Sequence, residues 1–183
     1  MHKSLADQRS SNETLDGRLN TLKKLILLIG IPASGKTTLS KKLIQKGYES
    51  ISADIIRAEL YGNEAEQGDP TKVFSVLFAR LEDMMGAGKD IVVDNTNLKF
   101  AHRKEILTRA EKFGYSDVQL WVLDVPLDVC LQRNAKRERM VQEDVLANMF
   151  MTFNRSGRPR QAEGHMVLIR PGKDENDFRF FFP

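Results

Sequence analysis

Five apolar residues, Leu25-Ile26-Leu27-Leu28-Ile29, stop abruptly at Gly30-Ile31-Pro32-Ala33-Ser34-Gly35-Lys36-Thr37. A helical pattern follows at once, with Leu39, Leu43 and Ile44 on one face. No other stretch restricts the fold so tightly. The segment matches G-x-x-x-x-G-K-[ST] without a mismatch, and it has the strand before and the helix after that give the pattern its meaning. Glycines let the backbone curl and turn its N–H groups toward phosphate oxygens. The helix behind the loop adds its positive end. Lys36 can then reach the β- and γ-phosphates as a point charge, and Thr37 can offer a hydroxyl to Mg2+. The loop is expected to hold ATP and Mg2+.

The rest of the chain repeats the alternation. Apolar strands are expected at 48–52, 91–94, 118–125 and 165–170, and helices at 36–46, 54–60, 71–85, 100–113, from Pro126 through the following arginines, and at 142–153. Strands alternating with helices make a parallel sheet covered on both faces, with ligands beyond the carboxyl ends of the strands. The chemically loaded residues fall at those ends. The expected class is therefore α/β, a three-layer P-loop NTPase fold with a central parallel sheet, helices on both faces and an arginine-bearing helical lid over about 126–160. The kinase domain would span 23–183, behind a polar, loose tail over 1–22.

Composition narrows the class further. Apolar residues make up 41% and charged residues 29%, an ordinary soluble balance. One cysteine, Cys130, excludes an internal disulfide framework and suits a reducing, cytoplasmic setting. No apolar run approaches a membrane span. His2, His102 and His165 are scattered without metal-ligand spacing, and Cys130 is expected to be a buried, inert thiol. The chain is short for a helicase pair of domains and has no guanine-reading N-K-x-D, which points toward a small kinase.

Three further groups could complete such a site. Asp54 and Arg57, three apart at a helix start, share a face; Asp54 could take the proton of an attacking hydroxyl, and Arg57 could hold the acceptor or its phosphate. The plain alternative is a helix-capping aspartate with a surface ion pair. Asp94-Asn95-Thr96-Asn97 ends a strand and could serve Mg2+ or the acceptor, or simply form a turn. Arg133 and Arg137, four apart on the expected lid helix, could meet the triphosphate and offset developing charge. The plain alternative there is a solvated basic helix.

In order and separation, these motifs resemble the kinase domain of the polynucleotide 5′-kinase family. The resemblance rests on 30–38, Asp54-Ile55-Ile56-Arg57, Asp94-Asn95-Thr96-Asn97-Leu98, and Asp124-Val125-Pro126 followed by Arg133-Asn134-Ala135-Lys136-Arg137. It implies that Gly30, Ile31, Pro32, Ala33, Ser34, Gly35, Lys36, Thr37 and Thr38 hold ATP. It also implies that Asp54 is the general base toward a nucleic acid 5′-hydroxyl, that Arg57 binds the acceptor's phosphate, and that Arg137, with Arg133 beside it, contacts the donor phosphates. Mg2+ would sit between Thr37 and Asp94. Where the family has an acidic residue just before Thr-Asn-Leu, this chain has Asn95, with Asp94 one place earlier. Small-molecule kinases acting on nucleosides, sugars or nucleotide sugars share the motifs, so the acceptor stays open between these classes, with a non-catalytic ATP-binding module as the third reading.

Overall fold

The computed structural model describes residues 22–183 apart from 64, 65, 67, 175 and 176. The expected tail over 1–22 therefore lies, except for Leu22, outside the described residues. Six strands form one sheet: β1 (Lys24–Ile29), β2 (Glu49–Ile51), β3 (Ile91–Asp94), β4 (Asp117–Leu123), β5 (His165–Pro171) and β6 (Phe178–Phe181). Their order is β2-β3-β1-β4-β5-β6. The first five are parallel, and β6 adds an antiparallel edge, with Phe178 opposite Pro171. Sequence reading left this last strand unassigned.

β1 lies at the centre because its side chains are apolar on both faces, and Leu25 to Ile29 are all buried. The chain leaves β1 toward β2, then turns back across the sheet to β3, β4 and β5. Right-handed crossovers in opposite directions put α1 (Lys36–Ile44) on one face and α3 (Pro70–Gly86) with α4 (Phe100–Lys112) on the other. α2 (Ala53–Tyr61) packs against α3. The reversal at β1 makes a topological switch point, where a crevice opens beyond the strand ends.

One alternative reading and one expectation change here. Of the reading of Asp54 as a helix cap with an ion pair, only the pair with Arg57 is present: Ser52 caps the helix, its Oγ accepting from Asp54 N at 3.2 Å, while Asn95 Oδ1 accepts from Ala53 N at 2.8 Å. The Asp54 carboxylate is thereby left for other work. The helix after Pro126, α5 (Leu127–Ala135), ends before Arg137, so Arg133 and Arg137 do not share one helix face. The cause is Asn134, whose amide donates to Val141 O at 2.7 Å and accepts from Val141 N at 3.0 Å, closing 135–140 into a loop. α6 (Glu143–Thr152) follows and ends in a π turn at Phe153–Gly157.

A buried ion pair ties this segment to the sheet. Arg103, 1% exposed, makes a bidentate pair with Glu163 at 2.6 and 3.0 Å. Its Nη1 donates to the carbonyls of Asn97, Leu98 and Gly157 at 2.9, 3.1 and 2.9 Å. One guanidinium thus joins the turn after β3 to the end of the π turn. Arg103→Met would leave a buried carboxylate and three carbonyls without their donor, a loss of about 3–5 kcal/mol. A fall in urea midpoint at unchanged slope is the expected result.

Candidate active site

The loop after β1 curls tightly. Ala33 and Gly35 have φ of 62° and 104°, and Gly30 N donates to Thr96 O at 3.1 Å, stitching the loop to the turn after β3. Leu28 stands beside Asp94 in the parallel register, which sets the β3 carboxylate next to the start of the loop. Asn97 locks the arrangement: its buried amide donates to Leu28 O at 2.8 Å and to Val93 O at 3.4 Å. Asn95 and Asn97 are structural here, tying β3 to α2 and to β1.

Lys36 opens α1 and is 8% exposed, and its Nζ donates back to Ile31 O at 2.8 Å. Burial pushes its ammonium down to about 8, against the upward pull of Asp94 and Asp54 and with a further lowering from Arg137. Burial raises the Asp94 carboxyl, opposed by Lys36 and by a hydrogen bond from Thr37. One lysine, one hydroxyl and two carboxylates are thus within each other's fields. Ser34 Oγ is fully buried in the loop without a hydrogen-bond partner.

Asp54 projects from the first turn of α2, with its side chain 55% exposed. Arg57 Nη1 meets it at 2.5 Å, and Arg139 Nη1, from the loop between α5 and α6, stands 4.0 Å away. Arg133, on α5, reaches the other side of the phosphate loop, its Nη1 donating to Ser34 O at 3.4 Å. Arg137 is exposed in the α5–α6 loop yet acts electrostatically on Lys36. So the residues singled out from sequence, 30–38, Asp54, Arg57, Asp94, Arg133 and Arg137, gather around one crevice. Cys130 lies close enough to influence Lys36, but it is buried and its thiol is pushed up to about 11 by burial. That matches the inert thiol expected.

Two members of this assembly carry no signal in the sequence: Arg139 stands in the loop beside Arg137, and Arg103 sits in α4 with its partners 54 and 60 residues away. Only proximity in the fold identifies them. Asn95, expected to serve Mg2+ or the acceptor or to form a turn, accepts from Ala53 N.

Thr37 and Asp94 fit Mg2+. The ion takes hard oxygen donors, commonly one or two from protein, and leaves other positions to phosphate and water. A hydroxyl hydrogen-bonded to a carboxylate supplies such a pair. Among the described residues no cluster of three or more His, Cys, Asp or Glu competes for the role. No helix among them is long and apolar enough to cross a membrane.

The depressed Lys36 gives a pH prediction. Its folded value lies below the ordinary lysine value of 10.5, so its burial opposes folding fully below about pH 8, and that opposition fades as pH rises from about 8 to 10.5. A bound triphosphate favours the ammonium, so ATP binding should take up a proton above pH 8. Affinity should fall about tenfold between pH 7 and 9. Calorimetric titration in buffers of different ionisation enthalpy reads both effects, and equal affinity at the two pH values would contradict the assignment.

Comparison with known proteins identifies the family and the fold. The family model described as AAA domain matches residues 25–156, well over half of the chain. An L-seryl-tRNA(Sec) kinase of Methanococcus maripaludis is 27% identical over 141 residues, covering 73% of this chain and 53% of that one. A protein of Autographa californica nuclear polyhedrosis virus, named for bifunctional polynucleotide kinase/RNA ligase activity, is 31% identical over 134 residues, covering 66% and 19%. The chain thus spans about half the length of the first of these relatives and far less of the second. Among solved structures, the Pnkp1/Rnl/Hen1 RNA repair complex aligns with a TM-score of 0.65 at 17% identity over 75% of this chain and 47% of that one, a likeness of fold. The phosphate loop, the switch-point crevice and the match over 25–156 lead to one assignment: the chain belongs to the AAA domain family and carries its P-loop kinase domain.

Proposed function

We propose that the protein transfers the γ-phosphate of ATP to the 5′-hydroxyl of a polynucleotide. The observation that carries this reading is the position of Asp54, an exposed carboxylate in the field of the Lys36 ammonium with two guanidinium groups gathered at its Oδ1. Loop N–H groups and Lys36 hold the β- and γ-phosphates, and Ser34 Oγ has a donor to spare for a phosphate oxygen. Thr37 and Asp94 would hold Mg2+, which would supply charge neutralisation to the phosphates. The acceptor oxygen attacks the γ-phosphorus as the bond to the β–γ bridging oxygen breaks. Asp54 takes the hydroxyl proton, and ADP leaves with the released electron pair. Arg137, which acts on the same region as Lys36, offsets charge on the transferring group.

The acceptor class is supported by the surroundings of Asp54. Arg57 and Arg139 converge on one oxygen of a carboxylate that is more than half exposed, which suits a hydroxyl next to a phosphodiester on a long chain. Both curated relatives described above carry names of kinases acting on nucleic acids, in one case on a charged tRNA. Labelled ATP offered with a 5′-hydroxyl oligonucleotide, the same oligonucleotide bearing a 5′-phosphate, nucleosides and sugars tests the reading. Label should enter the 5′-hydroxyl oligonucleotide alone. Transfer to a free metabolite with the oligonucleotide unlabelled would replace this reading with that of a small-molecule kinase.

A further inference from the structure

The phosphate loop has a neighbour that no sequence motif announced. A Cβ built on Gly35 would lie 3.0 Å from Phe178 Cε1 and 3.1 Å from Cζ, with Arg133 Nη1 at 3.8 Å from the same point. Gly35 is therefore needed twice, for its φ of 104° and for the close approach of this ring. The ring is half-buried, and the Lys42 ammonium stands 5.2 Å from its centroid. Phe178 lies outside the matched residues 25–156, on the antiparallel strand that closes the sheet. Because β6 runs backward, its first residue comes to the same edge as the carboxyl ends of β1 and β4.

Strand order then assigns the two ends of the loop. Asp54 and Asp94 follow β2 and β3, on one side of β1; Arg133 and Phe178 come from beyond β4, on the other. Under the proposed function the γ-phosphate must face Asp54. A triphosphate laid along the loop in that direction sends its nucleoside toward Arg133 and Phe178. An aromatic ring and a guanidinium are the two side-chain types that stack on a nucleobase.

We infer that Phe178, with Arg133 beside it, is the platform on which the base of the donor nucleotide stacks. The inference rests on the reading of the loop as a triphosphate site and adds to it the determinant of the nucleoside. It also gives β6 a purpose, since the strand carries an aromatic group to a loop that has none of its own.

The test compares Mg·ATP with magnesium tripolyphosphate, which has the phosphates and no base, by calorimetry on the full chain. Phe178→Ala and Phe178→Leu should each weaken ATP about tenfold and leave tripolyphosphate unchanged, while Phe178→Trp should retain ATP affinity. The leucine variant keeps apolar packing on Gly35 without a π face, so it separates stacking from support of the loop. Unchanged ATP affinity in both variants, equal loss for both ligands, or tighter ATP binding by the alanine variant would overturn the inference. Wild-type protein that bound neither ligand would instead overturn the triphosphate reading, and this one with it.

Discussion

Lys36→Ala is expected to abolish phosphoryl transfer, lowering kcat/KM by about 10³-fold or more. The lysine is the one ammonium inside the loop, held by Ile31 O and balanced by Asp94 and Asp54. Its removal takes away a buried positive charge that would face the β- and γ-phosphates, where charge develops as the bond to the leaving oxygen lengthens. ATP binding should weaken in parallel, since the same ammonium meets the ground-state triphosphate. Folding should survive, because the burial that pushes Lys36 down to about 8 opposes the folded state. Thermal midpoint and ATP affinity, measured on one preparation, check both statements. A variant that kept wild-type transfer would remove the loop from the chemistry.

Asp54→Asn should behave differently. An amide cannot accept the acceptor's proton, and general bases typically contribute about 10²–10⁴-fold. Turnover should fall by that factor with ATP affinity nearly unchanged, since Asp54 projects from α2 and does not belong to the loop. The helix start should hold, because Ser52 and Asn95 cap it. Arg57 and Arg139 would lose an ionic partner on the surface, worth about 1 kcal/mol or less. Steady-state rates with a 5′-hydroxyl oligonucleotide, set beside ATP affinity, separate the two roles. Undiminished turnover would reject Asp54 as the base.

Both residues are legible from local pattern, Lys36 in the glycine loop and Asp54 at a helix start with Arg57 three places on. The β1–loop–α1 unit could be read because its information is contiguous: an apolar run, glycines at fixed spacing, then lysine and threonine. The sheet followed from alternation of elements. What escaped had distant causes. Ser52 and Asp54 are both able caps, and only the contact of Ala53 N with Asn95, 42 residues on, shows how the helix start is shared. The end of α5 depends on an amide bridge from Asn134 to Val141, and 133–139 looks helical without it. β6 reads as a phenylalanine-rich tail until β5 supplies its antiparallel partner, after which Phe180 meets Trp121 edge-on at 5.4 Å. Arg103 resembles any surface arginine until Glu163 and Gly157 arrive beside it.

The central claim is that backbone amides, Lys36 and the Thr37–Asp94 pair converge on a magnesium-bound triphosphate. Calorimetric titration of ATP into the full chain at pH 7, with Mg2+ and with chelator, tests it most directly. Binding at one site that weakens strongly when Mg2+ is removed is the expected result. Absence of binding, or binding indifferent to Mg2+, would contradict it.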